Sequence, residues 1–225
     1  MRLLFFDMEF ANGQVKGSIY SFGYLITDEN FEILTPPTDL LINPECAWNE
    51  YVEQNILAYP KERIDQAPTF PARYEEMKAI FEDVDVAVGF AVSNDVGALK
   101  KDCERYALPS FNYRWFDTER LCKKADKHSD ARGLDGCVRA WCGTIPENRH
   151  RSDGDAYATM RLLEAICKDT HATPEMLMLA YPECTGEAIP PKKEKPKTEK
   201  PSSRKRRRHH RPKKKKSNEK QDGII

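Results

Sequence analysis

Five side chains have the types and the order that hydrolysis of a phosphodiester needs: Asp7 and Glu9, then Asp95, then His150 and Asp155. Asp7 and Glu9 follow Leu3-Leu4-Phe5-Phe6, an apolar run that reads as a buried strand. Residues two apart on a strand face the same way, so both carboxylates are expected to project from one surface. Two acids at the end of an apolar strand are costly to assemble unless something positive lies between them. A pair of divalent ions about 4 Å apart meets that need and supplies an activated water and charge relief at the leaving oxygen. Magnesium and manganese are hard cations that take carboxylate oxygens, so a set of three or four acids is the expected ligand shell. Asp7 is the natural bridge, with Glu9 beside it. Asp95 falls at the start of a helix after a central strand, and Asp155 in the first turns of the last helix, where the helix dipole favours an anion. His150, in the loop entering that helix, is placed to act on a bound water as general base. Asp-x-Glu alone, or His-x4-Asp alone, is weak evidence, since acids often end strands at a surface. The order of all five is what carries the reading.

Several elements must position them. Leu3–Phe6, Ser18–Thr27 and Phe31–Ile42 read as strands, with Asp28-Glu29-Asn30 as the turn between the last two, giving a meander. Ala72–Glu82 has helical spacing after Pro71, and Val84, Val86 and Val88 alternate into Gly89-Phe90 as a strand. Asn94 is expected to cap a helix running to about Tyr106. Asn112–Phe116 reads as a short strand and Thr118–Lys127 as a helix. Leu134–Cys142 reads as a helix ended by Gly143, and Ser152 or Asp153 as the cap of a final helix through about Cys167. Three strands followed by alternating helices and strands predict an α/β domain: a mixed sheet, part antiparallel meander and part parallel, flanked by helices.

The formal net charge of zero conceals two unlike pieces. Residues 191–225 hold 16 basic and 4 acidic residues, a net of +12, leaving 20 basic and 32 acidic residues, a net of −12, for the rest. Charge and proline without large apolar residues predict a disordered tail, so the chain divides into a domain over 1–185 and a tail over 186–225. The seven cysteines include no Cys-x-x-Cys pair, and Cys137 and Cys142 lack partners at zinc spacing. Free thiols in a reducing, intracellular compartment are expected, cytoplasmic or, in a nucleated cell, nuclear, since Arg204–Arg208 and Lys213–Lys216 read as a nuclear address. The N-terminal apolar run is too short for an export signal, and no segment has the length to span a membrane.

Taken together, Asp7-x-Glu9 on the first strand, Asp95 after a central strand and His150-x4-Asp155 opening the last helix resemble the DEDDh (DnaQ-like) 3′–5′ exonuclease family. Phe116-Asp117-Thr118, the segment from Gly133 to Gly143, and the tract His150-Arg151-Ser152-Asp153-Gly154-Asp155-Ala156 resemble further stretches of it. The resemblance covers about residues 1–170. It implies an RNase H-like fold, two metals on Asp7, Glu9, Asp95 and Asp155, and His150 orienting or deprotonating the attacking water. Two places depart from the family pattern. Phe10-Ala11-Asn12-Gly13 stands where Thr-Thr-Gly often follows the first motif, and Gly89-Phe90-Ala91-Val92-Ser93-Asn94-Asp95 where Gly-His-Asn often precedes the second acid. Phe10 either stacks on the terminal base or belongs to the core, and Asn94 is a second candidate for substrate contact.

Single-stranded nucleic acid, RNA or DNA, is therefore the expected partner, with the basic tail as a salt-sensitive tether. The rival reading is a non-catalytic nucleic-acid-binding protein using this fold as a platform and the tail as its grip. Against it, a binder gains nothing from acids that repel phosphate.

Overall fold

The computed structural model describes residues 1–124, 130–144 and 150–188. Every described residue lies in the first of the two units into which the chain divides, Met1–Pro191. The basic tail and the expected end of the Thr118–Lys127 helix, residues 125–127, lie outside the described residues.

Among the described residues six strands form one mixed sheet in the order β3-β2-β1-β4-β5-β6. Strands β1 (Leu3–Phe10), β2 (Ile19–Thr27) and β3 (Ile33–Leu41) make the antiparallel meander. Strands β4 (Val86–Gly89) and β5 (Tyr113–Asp117) continue the sheet parallel to β1, and β6 (Thr185–Ala188) closes it antiparallel to β5. This is the mixed α/β architecture expected from the order of elements.

Alternation along β1 divides the core in two. Leu3 and Phe5 face a layer built from helices α5 (Thr118–Lys124), α6 (Gly133–Cys142), α7 (Ser152–Thr170) and α8 (Pro174–Ala180). Leu4, Phe6 and Met8 face the opposite layer, where α3 (Phe70–Glu82) contributes Phe70, Tyr74, Met77 and Phe81, and α4 (Ser93–Arg105) contributes Leu99 and Cys103. A small satellite core of Ala11, Tyr20 and Ile64 lies under the segment carrying the short helices α1 (Glu50–Asn55) and α2 (Lys61–Asp65). All seven cysteines are free, five of them buried. No described helix is long and apolar enough to cross a membrane.

Several expected boundaries move. Strand β1 runs on to Phe10, because Asp7, Met8 and Glu9 pair with Gly23, Phe22 and Ser21. The acids therefore sit within the strand and not beyond it. Asn94 does not cap α4: that helix begins at Ser93 after Val92, and Asn94 lies exposed in its first turn. Ser152 and Asp153 do not cap α7 either, since Arg151 occupies that position with no side-chain cap. The Ser152 hydroxyl is engaged with Ser21 and Asp39, and the Asp153 carboxylate with Arg151. Helices α1, α2 and α8 and strand β6 were not anticipated. Helix α1 buries no residue, and β6 is the four-residue run Thr-Gly-Glu-Ala with no large apolar side chain, so neither leaves an apolar period in the sequence. Strand β6 also carries the sheet through Ala188, past the boundary expected at 185.

Candidate active site

The β1 pleat puts Asp7 and Glu9 on the face of Leu3 and Phe5, the face that α7 covers. Asp155 lies one turn into α7. Carboxylate oxygens of Asp7, Glu9 and Asp155 lie within 4.8 Å of one another. The two acids from the start of the sequence thus meet one from a helix almost 150 residues later.

Asp95, in the first turn of α4, is buried at 4% exposure. It stands outside the group of three, yet it is the leading charged neighbour of Asp7. The bend between β4 and α4 that places it passes through Ala91, held in the left-handed region at φ 55°. A non-glycine residue there is strained, and such strain gathers at functional sites.

Burial and mutual repulsion dominate the electrostatics of Asp7, Glu9 and Asp95. Burial raises the Asp7 carboxyl well above the usual aspartate range, and Asp95, Glu9, Asp155 and Asp39 push it further. Glu9 rises from 4.5 to about 7, first through burial and then through Asp155 and Asp39. Burial also raises Asp95, with Glu9 adding to it and backbone hydrogen bonds from Met8 and Asp95 itself opposing it. Carboxylate oxygens make a hard donor set, which fits a divalent cation such as magnesium or manganese.

His150 is exposed, with φ 62°, in the turn two residues ahead of α7. With Asp155, Arg132, Gly133, Leu134 and Asp135 it lines a recess of about 250 Å³, so the last two expected site residues share one hollow with the start of α6. Phe10 and Asn94 line another recess, of about 390 Å³, together with Gly13, Ser18 and Lys101. Phe10 is half-buried, packing on the core while bordering this recess. Asp117 ends β5 buried, its Oδ1 accepting from the Arg120 amide, while the Thr118 hydroxyl donates to the Gly89 carbonyl and locks the end of β4.

Two residues beside the cluster escaped the sequence reading. Asp39 of β3 accepts hydrogen bonds from the Ser21 and Tyr59 hydroxyls, both 2.6 Å. Tyr20 is fully buried with no hydrogen-bond partner for its hydroxyl among the described residues, and burial together with Glu9, Asp39 and Asp7 raises its pKa far above the ordinary value. Neither has a motif around it, because what matters is proximity across strands.

A mixed sheet with three carboxylates gathered between its central strand and a covering helix defines an RNase H-like protein with an acidic centre that could hold a metal ion. Residues 4–163 match the RNase T exonuclease family, and the chain belongs to that family. Among solved structures, a 3′-exonuclease that recognises the 3′ end of a histone mRNA stem-loop superposes with a TM-score of 0.65 at 12% identity, over 76% of this chain and 84% of that one. The nuclease domain of 3′hExo, a DEDDh member bound to rAMP, gives 0.63 at 15% identity, over 75% and 92%. The zinc-bound E. coli exonuclease I complex with single-stranded DNA gives 0.65 at 14% identity, over 80% of this chain and 43% of that one. No curated protein matches the chain.

Proposed function

We propose that this protein is a metal-dependent 3′–5′ exonuclease that removes nucleoside monophosphates from the 3′ end of single-stranded nucleic acid. The observation that carries the reading is the approach of Asp7, Glu9 and Asp155 oxygens to within 4.8 Å, beside a recess shared by Asp155 and His150. Asp7, Glu9, Asp95 and Asp155 would hold two magnesium or manganese ions. Such a pair, when bound, supplies an activated water and charge relief on the leaving oxygen.

The chain's own residues do the rest. His150 is exposed on the rim of the site and takes the proton from the attacking water as its oxygen bonds to phosphorus. The bond from phosphorus to the 3′ oxygen of the preceding nucleotide breaks, and that oxygen takes a proton from solvent. Phe10 and Asn94 border a recess of a size to receive the terminal nucleotide, where the ring of Phe10 offers a stacking surface to any base. Relatives of this fold are recorded with an RNA stem-loop and with single-stranded DNA, which supports a strand end as substrate. The +12 tail offsets the repulsion between a polyanion and a −12 body, and so acts as a tether.

The test is incubation of the full chain with 5′-labelled single strands of RNA and of DNA, with manganese and with chelator. Shortening from the 3′ end with release of monophosphates, abolished by chelator and by Asp7→Ala, is the expected result. Absence of nucleotide release with manganese, or an Asp7→Ala protein that digests as wild type does, sinks the enzyme in favour of the binding protein.

A further inference from the structure

Three hydroxyls converge on the carboxylate of Asp39. Ser21 Oγ donates to Oδ1 and the Tyr59 hydroxyl to Oδ2, each over 2.6 Å, and Ser152 Oγ reaches Oδ1 over 3.2 Å. The Ser21 and Ser152 hydroxyls also lie within hydrogen-bond reach of one another; with one proton each, they make two of these three contacts at a time, so one serine reaches Asp39 either directly or through the other. Asp39 therefore joins four pieces of chain: β2, β3, the connection between α1 and α2, and the first residue of α7. Both serines are buried, at 1% and 0% exposure, where hydrogen bonds are least diluted by water. The guanidinium groups of Arg63 and Arg151 lie over the Tyr59 ring, 5.1 and 5.2 Å from its centre, and steady that arm.

The position of these bonds matters more than their number. Ser21 is the cross-strand partner of Glu9. Ser152 lies two residues after His150 and three before Asp155. The start of α7 has no side-chain cap, and its first hydroxyl is instead tied sideways to the sheet. Close packing against β2 brings helix and strand together, but packing alone leaves the helix free to slide along the strand. A directional bond at the residue opposite Glu9 removes that freedom.

We propose that Asp39, acting through Ser21 and Ser152, is a positioning residue that holds the start of α7 so that Asp155 and His150 face Asp7 and Glu9. This rests on the reading of those acids as a metal site. Groups that orient metal ligands without touching the metal govern affinity and turnover together, commonly by about 10- to 100-fold.

The experiment compares wild type, Asp39→Ala, Asp39→Asn and Ser152→Ala for Mn²⁺ affinity by electron paramagnetic resonance, for kcat and KM on a single-stranded oligonucleotide, and for melting temperature. Asp39→Ala and Ser152→Ala are expected to weaken Mn²⁺ binding and kcat by about tenfold or more, with KM for the strand within about twofold. Asp39→Asn, which keeps an acceptor for the serines, recovers much of the loss. Adding Ser21→Ala to Asp39→Ala costs little more, because both remove one network. A lower melting temperature with unchanged Mn²⁺ affinity and kcat overturns the proposal, as does an Asn variant no better than Ala. If Asp39→Ala does not fold, Ser152→Ala, lacking a single oxygen, decides by the same comparison. A wild type that binds Mn²⁺ but cleaves nothing defeats the nuclease reading alone, and the affinities still decide the role of Asp39. A wild type that binds no Mn²⁺ defeats both.

Discussion

Gly23 stands against Ser152 so closely that a β-carbon at position 23 would lie 1.9 Å from the Ser152 carbonyl carbon and 2.0 Å from the Asp153 amide nitrogen. Gly23 is also the cross-strand partner of Asp7. The missing side chain thus lets α7 rest its backbone on β2 beside the first acid of the cluster, and this contact carries Asp155 within reach of Asp7 and Glu9. The obstacle to any larger residue is backbone, which cannot swing aside as a side chain would.

Gly23→Ala is therefore expected to lower stability by about 1–3 kcal/mol, the usual cost of overpacking. It is also expected to cut nuclease activity at least tenfold, by lifting the start of α7. Thermal melting and a Mn²⁺ titration check this. A variant that melts and binds Mn²⁺ as wild type does would show that α7 accommodates the methyl group by shifting without consequence.

Asp7→Asn should trade function for stability. Asp7 sits among Asp95, Glu9, Asp155 and Asp39, and its charge raises the energy of the metal-free fold. Removing that charge should raise the melting temperature in chelator while nucleotide release falls by about two orders of magnitude or more. A lower melting temperature in chelator would contradict the electrostatic account.

The metal-free protein should lose stability as pH rises. Glu9 moves from 4.5 in the unfolded chain to about 7 in the fold, so the folded state holds its proton more tightly. That contribution is complete below pH 4.5 and lost as pH rises through 7, on the order of 3 kcal/mol before solvent screening. Asp102, raised from 3.8 to about 6 mainly by burial, adds a fall of the same sign at lower pH. Saturating Mg²⁺ should flatten the Glu9 portion and leave that of Asp102, a difference visible in melting curves from pH 4 to 8. A Mg²⁺ response confined to pH below 5 would argue against Glu9 as a ligand.

His150→Asn should separate chemistry from binding. Asparagine tolerates the left-handed backbone found at position 150, so the turn should survive. A fall in kcat of about 10²–10⁴-fold with Mn²⁺ affinity held within about twofold is expected if the imidazole is the base. Unchanged kcat would remove His150 from the chemistry.

Tyr20→Phe should stabilise the protein by about 1 kcal/mol, because it deletes a buried hydroxyl with no hydrogen-bond partner. Chemical denaturation measures this directly. A destabilised variant would mean that the hydroxyl is satisfied in solution.

Much of the site was legible because its residues sit at strong local signals. Leu3–Phe6 announces a buried strand, its alternation puts Asp7 and Glu9 on one face, and the glycine after Cys142 ends α6 in the left-handed conformation it was expected to adopt. What failed was local as well. Asn94, Ser152 and Asp153 are good caps by type, yet the hydroxyl of Ser152 is taken by Ser21 and Asp39, and the Asp153 carboxylate by Arg151. Propensity cannot foresee a partner that arrives from another strand. The same blindness hid Asp39, Tyr59 and Tyr20, and the strand β6, whose pairing with β5 needs no hydrophobic pattern.

The sequence by itself determined the α/β class, the order of the acids and histidine, and the charge contrast between residues 1–190 and 191–225. Each of these follows from the periodicity, chemistry and charge of neighbouring residues, which the chain carries before it folds. The tertiary structure alone decided which acids meet. Asp7, Glu9 and Asp155 converge because a glycine on β2 admits the backbone of α7, while Asp95 approaches from a different helix and stays outside their group. Distances between residues far apart in sequence are set by how helices and strands pack, and no local pattern records them.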